Sequence, residues 1–349
     1  MSETTGAGPR ISLYDHALRL HERHPDAPLP RDGEPFPNEP ARRRRIDDQR
    51  LVGTDVAAAL DRHFADPAAE HHVLAEAVRD LAVPIHRNDH ITAAALRADR
   101  ERVRDTGRWL VRHGTDKSSV AVGLALLASD RAGDDIPLIR TIGLLSNTFG
   151  PLAAEALKRR RRGVDALLWL GDRVAGWGRV YVVEALCQVG GDEVRSWLLR
   201  RSCDGDFLNG YFAGRVATEA HLHEAITTES DDDLVDHTAR ILSTMAGCGG
   251  MGMTLEGYPP AHAVLTAHAG HLGRQEATQA RLRHVLAIAH HLHTTGAREL
   301  LDRYRAVLDR DEWCAVVRAA PEDDDYLSWF REERAPGLGL RAFRGLDND

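Results

Sequence analysis

The sequence predicts an all-α chain of stacked antiparallel helix pairs, and three observations lead there. From residue 54 onward apolar residues recur with a period near 3.6, and no run alternates as a half-buried strand does. Glycine, aspartate and proline punctuate this pattern at short intervals, so the helices are brief and closely connected. Landmarks also repeat at constant spacing: Phe149-Gly150 returns as Trp177-Gly178, and Trp169-Leu170 as Trp197-Leu198, each 28 positions on. Asn209-Gly210-Tyr211-Phe212-Ala213 follows Trp177-Gly178-Arg179-Val180-Tyr181 at a spacing of 32. A two-helix unit of this size cannot bury both faces alone, which is why such units stack.

Residues 1–50 hold seven of the 15 prolines and end in Arg42-Arg43-Arg44-Arg45. Proline removes a backbone donor and pushes its predecessor to extended geometry, so this region reads as a mostly irregular arm, helical only over 11–21. The array is expected over 51–227, with its clearest repeats in 134–225. Thr54 or Asp55 caps a first helix to about residue 64, and Asp66-Pro67 starts a second to about 83. Residues 89–113 read as one longer helix ending at Gly114. Thr115 or Asp116 caps the next, whose residues 120–127 are apolar nearly all round, as in a helix buried on most sides. Gly190-Gly191-Asp192 ends one helix and begins its partner. A C-terminal helical region, 228–332, continues the array. It opens on Asp231-Asp232-Asp233, favourable at a helix N-terminus, and helices are expected over 234–245, 260–271, 275–293, 297–308, 312–319 and 323–331. The glycine run 247–252 lacks the lysine and flanking strand of a phosphate loop and reads as a connection. Residues 333–349 are expected to fray.

The charge balance, 45 Lys+Arg against 53 Asp+Glu for a net −8, excludes a uniformly basic nucleic-acid binder. All positive residues but Lys117 and Lys158 are arginines. No apolar window reaches the 18 residues of a membrane span, and the polar, proline-rich start lacks a secretory h-region. A cytoplasmic location is expected. Cys187, Cys203, Cys248 and Cys314 are widely spaced without a C-x-x-C and read as reduced thiols.

No catalytic, metal-binding or cofactor motif is present: there is no G-x-S-x-G, no H-E-x-x-H, and the histidine pairs do not complete a ligand set. On the helix containing Leu282 and Val285, the periodicity turns His293 to the apolar face and His284 and His291 outward. The denser chemistry lies in the repeats. Trp177, Arg179, Tyr181, Glu184, Arg195, Trp197, Arg200, Tyr211 and Arg215 fall within 39 positions, and equivalent positions of stacked helix pairs line up on one concave surface. Aromatics with arginines suit a protein-binding hot spot; the alternative is that the tryptophans are inter-repeat core and the arginines are internally paired. Lys158, Arg159, Arg160, Arg161 and Arg162, just before Gly163, match cations that satisfy a helix C-terminus. The other reading of that run is a contact for phosphate or an acidic partner.

The segment Asp192-Glu193-Val194-Arg195 with Trp197-Leu198-Leu199 resembles the second helix of HEAT/armadillo-type repeats. Trp177-Gly178-Arg179-Val180 with Val183-Glu184-Ala185-Leu186 is similar to a pattern in uncharacterised bacterial HEAT-like proteins. The resemblance implies a right-handed α-solenoid; the short units and a glycine-aromatic emphasis depart from the pattern. A shape-defined family confers no single activity. The expectation is a non-catalytic scaffold binding another protein, with a nucleic-acid-binding or DNA glycosylase-like HEAT protein as the alternative.

Overall fold

The structure, a computed structural model, describes residues 10–37, 52–228, 231–321 and 324–344. The Arg42–Arg45 run, the first nine residues and the last five lie outside the described residues. Every regular element among those described is helical, and they form two compact units, residues 1–189 and 190–349, the division falling inside the sequence repeats.

The first unit contains α1 (Leu13–Arg23), α2 (Thr54–Ala65), α3 (His71–Val78), α4 (Asp89–Arg97), α5 (Arg100–His113), α6 (Lys117–Ala128), α7 (Ile136–Ile142), α8 (Ser146–Lys158), α9 (Gly163–Gly171) and α10 (Gly176–Val189). Helices α4, α6, α8 and α10 pack in succession, as do α5, α7 and α9, and sequence neighbours pair between the two rows. The α6 expectation holds: Asp116 Oδ1 accepts the Ser119 amide at 2.9 Å, and eight of its apolar or glycine residues from 120 to 128 are buried, with Ala125 alone partly exposed. The long helix expected over 89–113 is instead two. Asp99 takes an extended conformation and caps α5 by accepting the Arg102 amide, because a capping carboxylate competes with helix continuation wherever the chain can turn.

Gly150 and Gly178 account for the recurring landmark. They face each other where α8 crosses α10, and a Cβ on Gly178 would collide with the Ser146 side chain. Trp169 lies between two guanidinium groups, Arg140 and Arg173, each 4.5 Å from its ring, with His21 edge-on at 5.1 Å.

Residues 10–37 pack against this unit. Leu13, Tyr14, Ala17, Leu29 and Phe36 are buried, and α1 lies on α5 and α7. Phe36 stacks on Phe149 at 6.0 Å, and Leu13 donates its amide to the Gly114 carbonyl. Arg173 reaches the Pro25 carbonyl at 2.7 Å and Asp26 at 2.9 Å. Arg31 and Asp32 both sit in the left-handed region (φ 51° and 54°), a conformation costing on the order of 1 kcal/mol or more for a non-glycine residue. Ser146 Oγ, donating to Asp32 at 2.8 Å, helps hold that turn, and burial raises the Asp32 pKa.

The second unit contains α11 (Asp192–Arg201), a 3₁₀ helix Phe207–Tyr211, α12 (Ala213–Glu219), α13 (Leu222–Thr228), α14 (Asp232–Gly247), α15 (Ala261–Leu272), α16 (Gln279–Thr294), α17 (Arg298–Leu308), α18 (Asp311–Arg318), α19 (Asp325–Glu333) and α20 (Ala335–Leu338). Again two rows recur, α14–α16–α18 and α13–α15–α17. Asp231 caps α14 through the Leu234 amide, as its acidic start suggests. The described part of the tail does not fray: Leu338, Leu340 and Phe343 are buried, and Phe343 packs on Phe330. The four cysteines of the chain are free and buried.

Each unit buries a neutral histidine. Burial, reinforced by Arg102, pushes His63 down to about 4, and burial with His271 and His284 pushes His268 to about 3. An unfolded histidine titrates near 6.5. The folded pKa values are therefore depressed, and the stability these rings contribute is complete above pH 6.5 and is lost as pH falls from there toward the folded values. Denaturant titrations at pH 7 and pH 5 are expected to show each unit losing about 2 kcal/mol per histidine. His63→Gln and His268→Gln should flatten this dependence, and an undiminished slope in the double variant would contradict it.

Candidate protein-binding surface

The nine residues singled out in sequence divide between the two units. Trp177, Arg179, Tyr181 and Glu184 belong to α10, a helix buried on most sides. Its side chains at 177, 181, 184 and 188 form one stripe that reaches the surface. Trp177 is 39% exposed and stacks on Tyr181 at 6.1 Å, with the His86 ring edge-on to Tyr181 at 5.5 Å. Burial, with the nearby Glu184 charge, raises the Tyr181 pKa. Arg179 points the other way. It is buried, and its Nη1 donates to the Gly171 carbonyl at 2.8 Å and to that of Val174 at 3.3 Å, tying the end of α9 to the start of α10.

In the second unit Trp197 is buried in the core. Arg195 donates to the Ala220 carbonyl at 2.9 Å and meets Glu224 at 3.5 Å, while Arg200 pairs with Asp231 at 2.7 Å. Tyr211 and Arg215 differ from these. Tyr211 ends the 3₁₀ helix 40% exposed, and Arg215, four residues on in α12, is partly exposed and forms no ion pair among the described residues.

Two neighbours that sequence reasoning missed complete this patch. Phe207, at the other end of the same 3₁₀ helix, is 72% exposed, and Met253 is 38% exposed. Asp206 sets the helix by accepting the Leu208 amide at 2.8 Å, which leaves Phe207 on the outside. Met253 is delivered by the glycine run 247–252. Gly249 and Gly250 take positive φ (57° and 90°), and Gly252 lies so close to the Gly210 carbonyl that a Cβ there would collide with it. The run is thus a connection, as its sequence suggests, and it is seated on the backbone of the 3₁₀ helix. No spacing signalled Phe207, because an interval of four shares a face in an α-helix and not in the 3₁₀ helix that forms here. A lone methionine after a glycine run carries no signal either.

The cationic run before Gly163 is largely engaged. Lys158 meets Glu155 and Gln188, each at 2.6 Å, and Arg159 meets Glu155 at 3.0 Å. Arg160 is internal, donating to the carbonyls of Ala132, Ala156 and Leu127 at 3.0, 2.6 and 2.8 Å. Arg161 and Arg162 are exposed.

Among the described residues no three His, Cys, Asp or Glu side chains converge to hold a metal ion, and no helix among them is long and apolar enough to cross a membrane. Comparison with protein-family models, curated proteins and solved structures finds no match to this chain.

Proposed function

We propose that this chain is a helical-repeat scaffold of the HEAT/armadillo kind, a solenoid of paired helices that works in the cytoplasm and binds another protein. The serial packing of alternate helices and the glycine landmark at the α8–α10 crossing support the repeat reading. Four free, buried cysteines suit a reducing compartment.

The observation that carries the binding reading is the patch of Phe207, Tyr211 and Met253 beside Arg215. Exposed aromatics next to an arginine without an ion-pair partner among the described residues have the composition of a binding hot spot, since they offer large apolar area and a guanidinium ready to meet a carboxylate. The partner that fits presents an apolar anchor flanked by an acidic residue. On α10, the Trp177–Tyr181 pair offers a further aromatic surface.

Affinity purification from the native host tests this. Tyr211→Ala with Arg215→Glu should reduce recovery of a specific partner at least about tenfold, with the melting midpoint nearly unchanged, whereas Leu96→Ala at an exposed apolar position of the first unit should not. Equal recovery with all three proteins would refute the proposal.

A further inference from the structure

The second unit has a pocket of about 200 Å3, open on one side, between α14, α15 and α16. It is smaller than the pocket of a drug-sized ligand. Ala239, Leu272, Ala280 and Val285 give it an apolar wall.

One cation in the remaining wall has no ion-pair partner among the described residues. Arg281 is engaged by two carboxylates, Asp236 at 2.7 and 3.1 Å and Asp232 at 3.1 Å. His268 and His284 are kept neutral, His284 by burial and then by the Arg240 charge, which bring it to about 4. Arg240 donates Nη1 to the Cys203 carbonyl at 3.1 Å and has no carboxylate within ion-pair distance among the described residues.

His268 adds a donor. Tyr304 Oη lies 2.8 Å from His268 Nδ1 and 3.5 Å from its alternative acceptor, the Leu265 carbonyl, so the hydroxyl proton goes to Nδ1 and the ring carries its own proton on Nε2. That Nε2 is fully buried and, although the Val235 backbone lies near the ring, has no partner at hydrogen-bond geometry. A buried donor left unmet is costly.

We propose that this pocket binds a small monocarboxylate with an apolar body, its carboxylate on Arg240 and its hydrocarbon against Leu272 and Val285. A phosphate dianion would bring two charges to one uncompensated cation, with Asp236 in the same wall. A neutral apolar molecule would leave Arg240 without a counter-charge.

The test uses the full chain with millimolar isovalerate and benzoate, each beside its amide, and inorganic phosphate, read by thermal melting and ligand-observed NMR. At least one acid should raise the midpoint saturably while its amide does not. Arg240→Gln should weaken that binding about tenfold or more, and Arg240→Lys should restore part of it. If Arg240→Gln does not fold, the comparison of acid with amide on the wild type decides. Stabilisation by neither acid, equal stabilisation by the amide, or preference for phosphate would overturn the assignment.

Discussion

Replacing Arg160 by methionine is expected to lower the melting midpoint of the first unit by about 10 °C. The Arg160 side chain is fully buried, and its three carbonyl partners lie at the end of α6, in the link to α7 and near the end of α8. Asp135, also buried, lies 4.0 Å away and is shared with Arg108. Burial lowers the Arg160 pKa while Asp135 and Asp130 favour its charged form, so the ion is held by its surroundings. Methionine keeps much of the stem's volume but leaves those carbonyls without a donor and Asp135 with one cation fewer. Removing one partner from a buried charged network costs about 3–5 kcal/mol, and each kcal/mol moves the midpoint of a unit this size by roughly 2–4 °C. Arg161→Met, one residue on and exposed, should shift it by no more than about 1–2 °C. Equal midpoints for the two variants would show that Arg160 does not tie these helix ends together.

Gly178→Ala should destabilise the first unit although alanine is the better helix former. In an open helix the exchange gains up to about 1 kcal/mol. At Gly178 the new Cβ meets both Ser146 side-chain atoms in the first turn of α8, so the helices must separate, at a cost of about 1–3 kcal/mol. Gly270 in α15 has open space where a Cβ would go, and Gly270→Ala should stabilise the second unit by about 0.5–1 kcal/mol. Denaturant midpoints that move in the same direction for both variants would remove the close crossing as the reason for the repeated glycine.

The helices were legible where local chemistry decides them: the capping carboxylates Asp116 and Asp231, and the nearly all-apolar α6, depend on no distant partner. The helix expected over 11–21 forms as α1, but the docking of residues 10–37 was not legible. Their prolines erase periodicity, and their order comes from Phe149, Gly114 and Arg173, which are remote in sequence. The tail to residue 344 is ordered in the same way, through Phe330. His284 was expected outward and His293 inward. The structure reverses both, since His284 meets Ser243 of α14 at 2.9 Å while His293 is exposed, because which flank of a helix is covered depends on which neighbour packs there. The candidate surface shows the same limit. The residue types in the repeats were readable, but their directions were not: Arg179 and Trp197 turn inward, while Tyr211 and Arg215 face out with Phe207.

Site-specific photocrosslinking in the native host tests the central claim most directly, with a photoreactive phenylalanine analogue at 207 or 211 and, as a control, at the exposed Leu96. A discrete adduct of one partner at 207 and 211, lost when Arg215 is changed to glutamate and absent at 96, is the predicted result. No adduct at 207 and 211, or the same adducts at 96, would contradict a binding surface built on this patch.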